Sequence, residues 1–185
     1  MIDLTAQAER VSLILHGIQK GPEKALYNAV NRGLSAVRTK SGKLIRETYF
    51  IKQSDLNANQ RLTMKKATPS HIAGYIGFAG TVIPLKQFKV TPAEPKQQTV
   101  SVSVLRSEGA KRLEAAYVAD LGLYGPGVFE RLTSKRETSQ QLFGPSPAHM
   151  AEHENVLEQT SAIAQEVVNK RLEHEISRIL NGYGG

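Results

Sequence analysis

The chain has 185 residues, a length that favours one domain, or one domain with a protruding arm, able to bury its own core. It has no cysteine, which excludes disulfides, thiolate metal sites and cysteine nucleophiles and fits a reducing cytoplasm. The formal net charge of +7 comes from residues 1–66, where twelve Lys and Arg stand against five Asp and Glu; the remaining residues carry twelve of each. A basic half of this kind faces water, nucleic acid, a membrane surface or an acidic protein. With 6% aromatics and no Trp, a stacking platform for single-stranded nucleic acid is poorly supplied.

Leu4, Ala8, Val11, Leu15 and Ile18 form a helical stripe over residues 3–18, although Val11 to Leu15 also reads as a strand. Gly17 and Gly21-Pro22 end it. A second helix is predicted from Pro22 to Tyr49. Leu26, Ala29, Val30, Gly33, Leu34, Val37, Leu44 and Ile45 mark its apolar face. Arg32, Arg38, Lys40, Lys43 and Arg46 form a candidate basic face on the rest. Small residues at Ala29, Gly33 and Ala36 permit a close neighbour, and Ser41-Gly42 is a candidate kink. A turn and short helix follow over Ile51–Asn59, with Ser54 or Asp55 as the expected cap.

The period then changes from helix to strand. Arg61 to Lys66 and His71 to Phe78 alternate, with a hairpin-like Thr68-Pro69-Ser70 between them. Thr99 to Val104 alternates strictly; Ala115 to Ala119 and Val128 to Leu132 complete the set. Residues 90–96 read as irregular and Glu108-Gly109 as a turn. The fold class predicted is α+β: an antiparallel sheet at 60–132, flanked by basic N-terminal helices at 1–50 and a long C-terminal helix at 148–182. Between them, residues 133–147 form a basic loop and the corner Gly144-Pro145-Ser146-Pro147, a hinge that sets where the last helix points. The stripe of that helix is Leu157, Ala164, Val168, Leu172, Ile176 and Ile179, with Asn181-Gly182 as a left-handed stop. Its length suggests that part of the stripe packs on another subunit. The start Met1-Ile2-Asp3-Leu4 does not read as a secretory leader, and no apolar run approaches a membrane span.

Candidate chemistry is sparse. His149-Met150-Ala151-Glu152-His153 has the H-x-x-E-H spacing, which on one helix would offer two imidazoles to zinc and Glu152 as base. No third ligand is evident, and a polar helix start explains the same residues. His16, His71 and His174 stand alone, and no phosphate loop or nucleophile elbow occurs. We therefore expect no enzyme, no cofactor and no metal. The basic faces lack interleaved aromatics, which leaves non-specific contact with DNA open.

Several segments resemble the prophage minor tail protein Z family of long-tailed phages. They are Ala29-Val30-Asn31-Arg32-Gly33-Leu34 continuing to Ile45-Arg46-Glu47-Thr48-Tyr49, then Ile51-Lys52-Gln53-Ser54-Asp55-Leu56, then the I-P-L-x-x-F strand Ile83-Pro84-Leu85-Lys86-Gln87-Phe88. Gly127-Val128-Phe129-Glu130-Arg131, the pair Lys135-Arg136 and the corner Leu142-Phe143-Gly144-Pro145-Ser146 follow in the family's order. One departure is Glu137-Thr138-Ser139, where the family has Pro-Ile. The resemblance implies a structural protein of the virion tail or neck, made in the host cytoplasm, that completes or assembles the head-proximal end of the tail. The layout is similar to ring-forming tail-completion proteins. Implied partners are further copies of the chain in a homo-oligomeric ring and other tail or neck proteins, with no membrane. Candidate contact residues are Arg131, Lys135, Arg136, Leu142, Phe143, Pro145 and Pro147. The acidic C-terminal helix of one copy against the basic face of the next is a candidate pairing. The alternatives weighed beside this reading are a zinc metallopeptidase using His149, Glu152 and His153, and a non-specific DNA-binding module.

Overall fold

A computed structural model describes residues 3–96, 98–121, 125–133 and 138–182. It is α+β, with three small antiparallel sheets, helices at the N-terminal end and a long helix at the C-terminal end. The chain divides into two compact units. One holds Met1–Ser41, Leu62–Gly77 and Leu157–Gly185; the other holds Gly42–Arg61 and Phe78–Val156. No helix among the described residues is long and apolar enough to cross a membrane.

The first unit is mainly helical. Helix α1 (Thr5–Ile14) is followed by α2 (Gly21–Thr48), which continues through Ser41-Gly42 as one helix. Pro22 stands in its first turn, where a missing N–H costs nothing. The last helix, α5 (Glu154–Leu180), returns to the same core. Val11 and Leu15 of the α1 segment, Ala25, Leu26 and Ala29 of α2, and Val168, Leu172, Ile176 and Ile179 of α5 form one buried cluster. The α5 stripe is thus largely consumed within the chain, while Leu157 and Leu180 at its ends stay exposed. Gly33 shows how closely the helices approach: a Cβ there would lie 2.6 Å from Val168 Cγ2. Gly182, at φ +78, ends α5 as predicted.

Strands β1 (Gln60–Lys65) and β2 (Tyr75–Gly80) pair as a two-stranded ribbon. Thr68 and His71 exchange both backbone hydrogen bonds at the turn. The ribbon buries little. Leu62, Ile72 and Tyr75 are exposed, and the predicted half-buried alternation is realised only weakly, at Met64 and Ile76.

In the second unit α3 (Gln53–Asn59) starts after Lys52, which makes no side-chain cap, so neither Ser54 nor Asp55 fills that role. Two three-stranded sheets follow: β3 (Lys89–Thr91), β4 (Val100–Ser103) and β5 (Lys111–Leu113), then β6 (Ala116–Asp120), β7 (Pro126–Arg131) and β8 (Ser139–Gln141). Each is antiparallel in sequence order, with Val90 opposite Val102 and Val118 opposite Val128. The expected single sheet is therefore divided. Strand β4 alternates as read and buries Val100 and Val102. Strand β7 is central and buries neighbours on both faces, Val128 and Phe129, which explains its unbroken apolar run.

The predicted terminal helix is interrupted. Helix α4 (Pro147–Glu152) begins at Ser146, whose Oγ accepts from the His149 amide, with Pro147 at its first position. His153 then leaves the helical region, at φ −57 and ψ 132, before α5 starts.

Candidate partner surfaces

The proline corner is pinned by two neighbours. Leu142 donates its amide to Val128 O at 2.8 Å, and its own carbonyl accepts from Leu85 N at 2.9 Å. The amide of Gly144 donates to Ile83 O at 2.7 Å. These two bonds flank a pair in which Pro84 faces Phe143, so Pro84 occupies a position that needs no N–H. The I-P-L-x-x-F segment expected as a strand is thus one bridge followed by a 3-10 turn, Leu85–Gln87. Gly144 is required here: a Cβ would sit 2.6 Å from the Phe88 ring.

At this bridge Pro84 and Phe143 share one side, with buried Ile83 before Pro84, and Val82 and Pro145 flank the pair in sequence. Ile83 is 0% exposed, whereas Val82 is 51% and Phe143 48% exposed. The result is an apolar strip on the surface of the second unit. Of the predicted contacts, Phe143 is prominent, while Leu142 and Pro145 are half-buried. Arg131 ends β7 with its guanidinium 5.6 Å from the Tyr117 ring centre. Pro147 corrects the sequence reading: its side chain is fully buried, so it holds the corner from inside. Lys135 and Arg136 lie outside the described residues. Val82, two residues before Pro84 and exposed, was missed.

The predicted basic face divides between the two units. Arg32 and Lys40 line an open cavity of about 520 Å³ in the first unit, together with Ser35, Ala36, Thr39, Val167, Lys170, Arg171 and His174. The last three lie on a helix that the sequence reading followed through its apolar stripe. Beneath them lies Glu175, fully buried. Its Oε2 accepts from Arg178 at 2.9 Å and Asn28 at 3.2 Å, and its Oε1 forms an ion pair with Arg171 without hydrogen-bond geometry. Arg38 is exposed and lines neither basic cavity.

Lys43 and Arg46 belong to a second concavity, about 670 Å³, with Glu47, Lys52 and Arg106 among its other residues. Lys43 is within 3.5 Å of Glu47, which offsets part of the charge. Arg106 closes the end of α2: its Nε donates to Arg46 O at 2.8 Å and Tyr49 O at 3.2 Å, and its amide to Thr48 O. Its guanidinium rests 4.4 Å from the centre of the Phe50 ring, with Lys89 Nζ also 5.1 Å from that centre.

His149 and Glu152 lie in α4 and His153 is its C-cap residue, so the H-x-x-E-H segment closes that short helix and does not continue into α5. His153 packs edge-on against Tyr49, ring centres 5.6 Å apart. Burial pushes the Tyr49 phenol above its ordinary value. Among the described residues no group of three His, Cys, Asp or Glu is placed to hold a metal ion. Compared with protein-family models, curated proteins and solved structures, the chain matches none.

Proposed function

We propose that this chain is a structural minor tail protein of a long-tailed phage. In this reading it self-associates at the head-proximal end of the tail and binds tail or neck components there, in the virion. The observation that carries the reading is the apolar strip Val82, Pro84, Phe143 and Pro145. It forms where two segments of the resemblance are hydrogen-bonded side by side. An apolar strip of two exposed side chains, Val82 and Phe143, beside two half-buried prolines at a backbone bridge suits one half of a heterologous contact, which closes into a ring when the rotation between copies permits.

Sedimentation velocity over a concentration series, with and without purified tails, tests the proposal. The wild-type chain should form larger species or co-sediment with tails, and Phe143→Glu should lose both while its far-UV spectrum is unchanged. A chain that stays monomeric and ignores tails under all of these conditions would falsify it.

A further inference from the structure

We infer that the cavity between α2 and α5 in the first unit is a binding site for the phosphodiester backbone of duplex nucleic acid. This goes beyond the assembly reading and does not rest on it. Arg32 and Lys40 come from α2, and Lys170, Arg171 and His174 from α5. No carboxylate is among the lining residues; the nearby Glu175 is fully buried and engaged by Asn28, Arg171 and Arg178. Glu175 is shared between Arg171 and Arg178, so that group keeps one net positive charge, and Arg32, Lys40 and Lys170 add to it.

The chemistry of the walls selects the ligand class. Ser35 and Thr39 donate their hydroxyls to carbonyls one turn back, at Asn31 and Ser35. They are not free donors, so recognition falls to charges that read phosphate without demanding a particular base. No Phe, Tyr or Trp is among the lining residues, so an unpaired base has only the His174 imidazole to stack on. The only apolar lining residues are Ala36 and Val167, too small to anchor a protein partner as a large side chain would. Arg32 and Lys40 are eight positions apart on one helix, about 12 Å, which corresponds to three or four base-pair steps of a duplex strand. A row of charges of that length fits a backbone better than a single small anion.

Fluorescence anisotropy of a labelled duplex of arbitrary sequence, titrated with the full chain at increasing salt, tests this. Wild type should bind at low salt, with log affinity falling linearly against log salt. Lys40→Gln combined with Lys170→Gln should weaken low-salt binding about tenfold or more and reduce the slope by about 1.8, near 0.9 for each lost contact. Both side chains are exposed, and thermal melting confirms that the variant is folded. Arg32→Gln alone provides a second measurement, expected to reduce the slope by about 0.9. The equal charge change Lys43→Gln with Lys52→Gln, at the other basic concavity, should leave the slope close to wild type. Pyrophosphate and a polyglutamate peptide should each bind far more weakly than duplex. The inference is overturned by absence of duplex binding at low salt, by equal losses in both double variants, or by pyrophosphate or polyglutamate binding as tightly as duplex.

Discussion

Asn31 and Ala67 exchange two hydrogen bonds: the Asn31 carboxamide donates to Ala67 O at 3.0 Å and accepts from Ala67 N at 2.9 Å. A side chain on α2 thereby stands in for a strand partner and ties the β1–β2 turn to the helix. The geometry uses both ends of the amide, so neither Ala nor Asp can replace it. Asn31→Ala and Asn31→Asp should each cost about 1–3 kcal/mol, because Ala67 is buried and its backbone would lose a partner. Urea denaturation should show a lower midpoint with an unchanged slope.

Two glycines of α2 should respond to alanine with opposite signs. At Gly33 the new methyl meets Val168 Cγ2 at 2.6 Å, and the β-branched valine has little room to turn. The gain of about 1 kcal/mol in helix propensity is outweighed by overpacking of about 1–3 kcal/mol, so Gly33→Ala should destabilise. At Gly42 the nearest atom is 3.7 Å away, an ordinary contact, and Gly42→Ala should stabilise by about 0.5–1 kcal/mol. Chemical denaturation of the pair decides the point, and two changes of the same sign would contradict the packing argument.

The buried carboxylate should matter far more than an exposed one on the same helix. Glu175→Gln leaves Arg171 and Arg178 without their counter-charge and should cost about 2–4 kcal/mol, moderated because both arginines are about a third exposed. Glu173 pairs with Arg10 at 2.6 Å, but both side chains are more than half exposed, so Glu173→Gln should cost no more than about 1 kcal/mol. Equal losses in the two variants would show that burial does not set the energy here.

Alkaline stability should depend on Tyr49. Its phenol is neutral in the folded and unfolded chain below the ordinary value of 10.0, so its contribution is fully present there. Burial raises the folded value, and stability is lost as the pH climbs from the unfolded value through the folded one. Tyr49→Phe removes this titration. Its denaturation midpoint should fall less steeply than wild type above pH 10, and coincident alkaline limbs would argue against the assignment.

The two helical ends were legible because long amphipathic stripes punctuated by Gly-Pro and Asn-Gly leave few alternatives. Strand β4 was legible for its strict alternation. Strands β3, β5 and β8 span three residues each, too few for a period of two to register. The break at His153 carries no Gly or Pro to announce it. Arg32 and Lys40 were visible as half of a basic cavity, but Lys170, Arg171 and His174 needed the packing of α5 on α2 to join them. The burial of Glu175 was equally hidden, since in sequence it is one more acid beside an apolar position.

The core of the first unit also sets a schedule for synthesis. Leu26 and Ala29 are covered by Val168 and Leu172, which follow by about 140 positions, on the order of ten seconds of elongation at about 5–20 residues per second. Throughout that interval the apolar face of α2 lacks the part of its native cover that α5 supplies. A nascent or truncated chain ending before α5 would present this face to other proteins, so the last segment made determines when the first one becomes safe from aggregation.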